Sequence, residues 1–394
     1  MACNDEHQRR RIAVFDATLR DGEQAPGNAM SPDDKVRYAL ESEAFGADVI
    51  EVGFPGSSPA DFTAAQLISG ALSTARFSTF NRCSRADIDR SVAAAGVGPL
   101  HQIAVCGTGS DLHLEHKRGI TREQARAEAR DAVAYARSLG ATDIAFCVED
   151  ASRADWDFVE ALVRDAAEAG ATTIGMADTT GWATPHEYAS LFAAARRWLL
   201  AGTTLSTHCH DDLGLSLANA LAAVLAGADE VQATLAGIGE RSGNTPLEEL
   251  AAVLMVKGEC LGLSTGIAVD RLYDSFLRLA TTISLPIPRN KAVFGDNAFA
   301  TQAGIHQHGI LQDPATYELV DPARFGRRRR LLVGRHSGRA ILRHLLGTFG
   351  RTDDHDLVER LYEDLVATRA EADCDELDTL RARLVAELGL VAHS

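Results

Sequence analysis

The chain has 394 residues, of which 46% are hydrophobic and 24% charged, with a formal net charge of −16. That length suits one large domain with an appendage, and the composition is that of an ordinary water-soluble globular protein. The negative charge opposes a nucleic-acid or anionic-membrane partner, and no uninterrupted apolar run is long enough to span a bilayer. The first eleven residues contain no apolar segment of the kind a secretion signal needs, and the seven cysteines form no C-x-x-C pair. A reduced, cytoplasmic protein with small, buried thiols is therefore expected. The basic run Arg327–Arg330 is expected to be a solvated loop rather than a binding patch.

Along the chain, short β-branched or apolar runs alternate with helical patterns. Ile12–Phe15 is the first predicted strand, and Ser31-Pro32-Asp33-Asp34 then caps a helix over Pro32–Ala44. Val49–Val52, Phe77–Phe80 and Ile103–Val105 follow as strands, and Thr121-Arg-Glu-Gln opens a helix over Arg122–Ser138. Ile144–Cys147, Thr173–Met176, Thr204–Thr207 and Glu230–Ala233 complete eight strands, with amphipathic stretches at Asp155–Ala169, Pro185–Ala201 and Leu215–Ala226. Gly46, Gly140, Gly170 and Gly227 sit where helices should end, each followed by Ala and then Asp or Thr, which marks a repeated βα unit. No G-x-G-x-x-G follows the first strand, so a dinucleotide-binding sheet is disfavoured. The expected fold is α/β, a (β/α)8 TIM barrel over residues 1–280. Residues 281–334, which include Ser284-Leu-Pro-Ile-Pro-Arg289, are expected to be a linker or lid, and 335–394 a small subdomain of two or three helices.

In such a barrel, chemistry sits at the C-terminal ends of the strands. Arg20 and Asp21 follow the first strand, Glu51 ends the second, Glu149 follows the fifth, Asp178 and Thr179 follow the sixth, and His208 and His210 end the seventh. His101 lies just before the fourth. In a His-x-His pair on a strand both imidazoles point to one face, and Asp21 could join them as a facial triad for a divalent metal. Arg20, beside that carboxylate, could neutralise a developing oxyanion, although a salt bridge to Asp16 or Glu23 would be its purely structural role. The glycine-rich stretch Gly237–Asn244 could cradle an anion at a helix N-terminus or be an ordinary βα loop.

Taken in order, D-A-T-L-R-D-G-E-Q-A-P-G, I-E-V-G-F-P-G-S-S-P, F-C-V-E-D-A-S-R-A-D, A-D-T-T-G, H-C-H-D-D-L-G, G-E-R-S-G-N-T-P-L-E-E and G-I-H-Q-H-G resemble the acyl-CoA-dependent 2-alkylmalate synthases. This family of DRE-TIM metallo-enzymes includes the 2-isopropylmalate, homocitrate and citramalate synthases, and the resemblance covers about residues 11 to 345. It implies a Claisen condensation of acetyl-CoA with a 2-oxo acid, followed by thioester hydrolysis, on a divalent Mg, Mn or Zn ion. It further implies that Asp21, His208 and His210 hold the ion, with Asn244 as a fourth or water-mediated ligand. Arg20 would stabilise alkoxide charge, while Glu149, His306 and Tyr317 would form the acid–base machinery. Gln24, Glu51, Arg82, His101 and Thr179 are the candidates for substrate binding or for orienting the ligands. In the family the segment carrying the His and Tyr reaches the partner's barrel, which implies a domain-swapped homodimer. His308 has the simpler reading of an exposed loop histidine.

Asp211 departs from the family's H-x-H-N-D pattern, where Asn is usual. The acceptor is less legible than the reaction. The segments G-F-P-G-S-S-P and D-L-H-L-E-H-K resemble 2-isopropylmalate synthases, and the arginine that homocitrate synthases carry near His113 is missing. Ala177-Asp-Thr and a tail too short for a separate effector domain are more like homocitrate synthases. Homocitrate synthesis, or condensation with phosphonopyruvate, is therefore the alternative. An anionic tail of that kind would need a cation, for which Arg82 is the candidate unless Asp87 or Asp89 claims it. A metal-dependent acyl-CoA lyase shares the D-x-T-L-R-D and H-x-H parts and is the nearest rival, with a catalytically silent barrel further off.

Overall fold

Strands here owe their strict alternation to a barrel with two unlike faces. In Gln102-Ile103-Ala104-Val105-Cys106 and Ala145-Phe146-Cys147-Val148-Glu149, the aliphatic and aromatic members are buried under helices. The small or polar ones face the barrel's interior cavity. A computed structural model describes residues 9–368 and 373–388. Its eight parallel strands are β1 (Ala13–Asp16), β2 (Val49–Gly53), β3 (Arg76–Arg82), β4 (His101–Thr108), β5 (Asp143–Glu149), β6 (Thr173–Asp178), β7 (Thr204–Cys209) and β8 (Glu230–Ala233). Each pairs with the next, and β8 closes on β1 with Ala13 opposite Glu230 and Asp16 opposite Ala233. All eight predicted strands are present, and several run further toward the mouth than their apolar cores suggest.

The outer layer is α1 (Pro32–Phe45), α2 (Pro59–Ala71), α3 (Arg85–Ala95), α4 (Arg122–Ser138), α5 (Trp156–Ala169), α6 (Pro185–Trp198), α7 (Ser216–Leu225) and α8 (Leu247–Leu261). Local signals account for their ends. Ser31 accepts from Asp34 N at the start of α1, and Thr121 and Gln124 form a full capping box on α4. Gly46 ends α1 at φ 95°, and a Cβ there would lie 2.4 Å from Gly266 O, so no other residue fits. The core is the helix–sheet interface, with Ile50, Val52, Ile103, Phe146, Ile174, Leu205 and Val231 fully buried. A further helix, α9 (Leu272–Thr282), completes this unit.

The chain divides into two compact units, Met1–Pro286 and Ile287–Ser394. In the second, Arg330–Val333 pairs in parallel with Ala300–Thr301 and antiparallel with Asp375–Glu376. That small sheet ties residues read from sequence as a linker to those read as a helical subdomain. Four helices accompany it, α10 (Gly304–Gln312), α11 (Arg339–Gly347), α12 (His355–Tyr362) and α13 (Leu377–Leu388). Ile341, Leu342, Leu345, Val358 and Leu380 form its own core.

Among the described residues no helix is long and apolar enough to cross a membrane. Six cysteines are free; Cys83, Cys106, Cys147 and Cys209 are buried or half-buried, whereas Cys260 and Cys374 are exposed, so the expectation of buried thiols is too broad. Cys3 lies outside the described residues.

Candidate active site

After β1 the chain enters a single π-type turn, Thr18–Gly22, that carries Arg20 and Asp21. Asp16 holds this turn. Its buried carboxylate accepts from Thr18 N (3.0 Å), Tyr38 OH (2.9 Å), Ser42 Oγ (2.6 Å) and the Thr18 hydroxyl. With Asp16 fully engaged in this way, Asp21 projects toward β7.

There Asp21 Oδ2 lies 3.1 Å from His208 Nε2 and 3.5 Å from His210 Nε2, and the two imidazole nitrogens are 3.3 Å apart. His208 Nδ1 donates to Gln232 Oε1 (3.0 Å), which fixes the tautomer and leaves the Nε2 lone pair directed at the cluster. Burial, reinforced by the neighbouring His208, lowers the His210 pKa to about 4, so this imidazole is neutral, as a metal ligand must be. Burial alone would raise the Asp21 carboxyl, but Arg20 and the imidazoles outweigh it and hold it well below the usual range. The three ligand atoms lie within 4.8 Å of one another, and two nitrogens with one oxygen are a donor set for a divalent transition ion or Mg. Asn244 is joined to His210 by an isolated antiparallel bridge, and its buried Oδ1 has no protein partner.

Arg20 pairs with neither Asp16 nor Glu23. Its Nε lies 2.8 Å from Glu51 Oε2, NH1 lies 3.6 Å from Asp21 Oδ2, and the guanidinium sits over the Phe80 ring. Glu23 is instead an ion-pair partner of Lys35. Glu149 meets Lys117 Nζ at 2.5 Å and His113 Nδ1 at 3.4 Å. Thr179 Oγ1 accepts from Asp150 N (2.8 Å), and both Thr179 and the exposed Gln24 line the mouth. Asp178 is committed to structure, accepting from Ser152 Oγ and from the backbone of Trp182 and Ala183. His306 and Tyr317 belong to the second unit, where their rings stack at 4.2 Å and 24°. His308 is exposed but sits within α10, not a loop.

Two expected contributors lie elsewhere. Arg82 makes a bidentate pair with Asp87 (2.7 and 2.9 Å) and lies over Phe54, so its cation is claimed before any ligand arrives. His101, read as lying just before the fourth strand, is the first residue of β4. It is buried at the opposite end of the barrel, bonded to Thr79 Oγ1 and Gly96 O and stacked on Phe77. Neither residue lines the cavity. The Gly237–Asn244 turn is closed on itself through Asn244 N to Gly237 O, and Glu248 at the start of α8 accepts from Ala236 N. The backbone N–H just before the turn is thus already satisfied by a side-chain carboxylate. The Asp211 side chain accepts from Ser216 N at the start of α7, where a negative charge is favoured.

A cavity of about 240 Å³ opens at this mouth and continues into the barrel. Sequence reasoning missed several of its walls, including Gln102, Cys106, Cys147, Glu230, Gln232 and Arg241. Arg241, within G-E-R-S-G-N, bonds Asp212 and Thr179 O and so ties two loops together. Burial pushes Cys147 up to about 12 and Cys106 well above its usual value, so both are neutral thiols rather than nucleophiles. Glu230 and Gln232 fall on a predicted strand and Gln102 directly precedes one, all at cavity-facing positions that alternation signals, whereas Arg241 lies in a loop that no periodicity marks.

Residues 11–276 match the HMGL-like family, and 293–373 match the homocitrate synthase post-HMGL domain. This chain belongs to the HMGL-like family. Within it the chain is 2-isopropylmalate synthase-like. Proteins named 2-isopropylmalate synthase from Sediminispirochaeta smaragdinae and Pyrococcus furiosus are 40% and 39% identical to it. They align over 91% and 90% of this chain and 71% of each relative. Among solved structures, the HMG-CoA lyase of Bacillus subtilis superposes with a TM-score of 0.62 at 17% identity, over 73% of this chain and 97% of the lyase. That of Pseudomonas aeruginosa gives 0.60 at 19%, over 74% and 96%. At such identities the lyases attest the barrel alone.

Proposed function

We propose that this protein condenses acetyl-CoA with a 2-oxo acid and hydrolyses the resulting thioester, as its likeness to 2-isopropylmalate synthases suggests. The observation that carries this reading is the convergence of Asp21, His208 and His210 on one point, with Arg20 alongside, at the mouth of the barrel cavity. Asp21, His208 and His210 would hold a divalent ion, Mg, Mn or Zn, with Asn244 close by, and such an ion supplies Lewis acidity at the acceptor carbonyl. Arg20, kept in place by Glu51, stabilises negative charge growing on the carbonyl oxygen as the carbon–carbon bond forms. Thr179 and Gln24 bind the acceptor's carboxylate end.

The acetyl methyl is a weak acid, so its deprotonation needs a positioned base. Glu149 at the mouth and the stacked His306–Tyr317 pair are the groups for moving that proton. His306, Ile305, Tyr317 and Leu319 are all exposed on their own unit, which supports a homodimer in which this segment completes the other subunit's barrel site. The match of residues 293–373 to a homocitrate synthase domain favours a synthase over a lyase. Free thiols throughout the described chain suit the cytoplasm.

The test is free-thiol release from acetyl-CoA with 2-oxoisovalerate, 2-oxoglutarate, pyruvate or phosphonopyruvate, with products weighed by mass spectrometry. Release with at least one acceptor, giving the acetyl adduct, is expected. Silence with all four, or cleavage of an acyl-CoA instead, would end this reading.

A further inference from the structure

The cavity does not stop at the Asp21–His208–His210 cluster. Its wall descends past Ala104, Ala145 and Gly175, where TIM barrels ordinarily carry bulky branched side chains, and reaches Gln102 and Glu230. On the β7–β8 pair His208 lies opposite Gln232 and Ser206 opposite Glu230. Glu230 therefore stands two residues below the cluster, about 7 Å along the strand and roughly the reach of a four-carbon tail.

The chemistry at this depth is unresolved by the protein itself. Glu230 is 1% exposed, and its carboxyl oxygens make no hydrogen bond of full geometry, with Ser206 across the strand pair as a weak donor. Gln102 gives its amide N–H to Asp143 (3.1 Å) and leaves its own buried Oε1 unpartnered. Under-satisfied oxygens of this kind beside one cavity are uncommon for buried polar atoms, and a donor entering the cavity would meet them. Their surroundings select what kind. The cation nearest Glu230 is Arg76, whose NH2 is 3.8 Å away and whose NH1 already holds Asp143 at 2.6 Å, so one guanidinium faces two carboxyl groups. A distal anion would add to that excess. Burial, opposed by Ser206 and Arg76, also pushes the Glu230 carboxyl up to about 7, which suits a neutral partner better than a cation.

We propose that the barrel floor is a specificity subsite. The acceptor's side chain runs from the cluster into the barrel and ends in an uncharged hydrogen-bond donor, a hydroxyl or amide, bound by Glu230 and Gln102. This rests on the reading that a 2-oxo acid is held at the cluster. It also disfavours acceptors that end in a carboxylate or phosphonate.

Three acceptors of equal chain length test it: 6-hydroxy-2-oxohexanoate, 2-oxohexanoate and 2-oxoadipate. Each is titrated by calorimetry into the Mg-loaded full-length protein and assayed by thiol release. The hydroxylated acid should bind about ten- to a hundred-fold more tightly than the other two, the range for a hydrogen bond to a buried polar site. Glu230→Leu should reverse its advantage over 2-oxohexanoate, and Glu230→Gln, which keeps one acceptor oxygen and the shape, should reduce it. Pyruvate, too short to reach the floor, should change less than about three-fold in either variant, and neither variant should melt at a lower temperature. A chamber that holds only solvent would bind the three acids alike, and a merely structural Glu230 would harm pyruvate turnover and melting equally; either result overturns the proposal. Turnover of pyruvate without discrimination sinks the subsite and leaves the acyltransfer. Discrimination in binding with no thiol release from any acceptor does the reverse.

Discussion

Asp21 is a nearly inaccessible carboxylate whose charge is balanced by Arg20 on one side and by two imidazoles on the other. Removing it, or His208, should abolish Mn binding by calorimetry and lower turnover by at least about a thousand-fold, since the open-site chemistry needs its full ligand set. Wild-type metal affinity in either variant would remove both residues from the ligand set. Arg20→Lys keeps the charge but not the guanidinium fork that spans Glu51 and Asp21. A fall in kcat of about a hundred-fold with little change in metal affinity is expected from steady-state kinetics and titration.

Glu230 gives a pH signature independent of catalysis. Burial raises its carboxyl from 4.5 to about 7, against Ser206 and Arg76 and with Asp143 and Asp48 adding to the rise, so it holds its proton more tightly folded than unfolded. That contribution is fully present below pH 4.5 and is lost as pH rises toward 7. Relative to Glu230→Gln, the wild type should therefore lose on the order of 3 kcal/mol of stability across that window, measured by urea unfolding. A difference that does not vary with pH would show that the folded environment leaves this group unchanged. The same scale shows where sequence falls short. Asp21, His208 and His210 were legible because strand alternation and strand ends fix where they point. For Arg82 sequence left two readings open, a ligand's cation or a partner of Asp87, and the structure decides for Asp87. His101 was counted among substrate groups although it precedes its strand, which puts it at the end of the barrel away from the chemistry.

At the scale of elements, the start of the turn after β1 is clamped by one buried side chain, Asp16. Asp16→Ala would leave the Ser42 hydroxyl without its acceptor and Tyr38 with Thr18 Oγ1 alone, and should cost about 2–4 kcal/mol in chemical denaturation. It should also weaken Mn binding, although it removes no ligand, because Arg20 and Asp21 would no longer be held in place. Unchanged metal affinity in a folded variant would show that the turn needs no such clamp. Elements with strong local signals were readable: the Thr121–Gln124 box and the eight strands follow from capping and period-2 patterning. The two-residue strands Ala300–Thr301 and Asp375–Glu376 were not, because so short a segment carries no periodicity. Asp211 shows the same limit, since its bond to Ser216 N depends on a loop path that spacing does not specify.

For the molecule as a whole, a site completed between subunits can be tested by complementation. Asp21→Ala and His306→Ala should each be inactive as pure dimers. After mixing and subunit exchange, half the dimers should be mixed, and one site in each should contain neither lesion. Recovery of about a quarter of wild-type activity is then expected in a thiol-release assay. If the mixture stays inactive under verified exchange, each barrel relies on its own chain.

The hollow barrel has a wider consequence. Because the main apolar core lies between sheet and helices, small residues lining the bore, such as Ala104 and Ala145, carry little of it. Exchanging Ala104 or Ala145 for a larger neighbour would reshape the acceptor space while leaving the outer scaffold undisturbed. Such a scaffold lets selectivity drift by single steps, and a lineage built on it can explore new acceptors without first having to reinvent its frame.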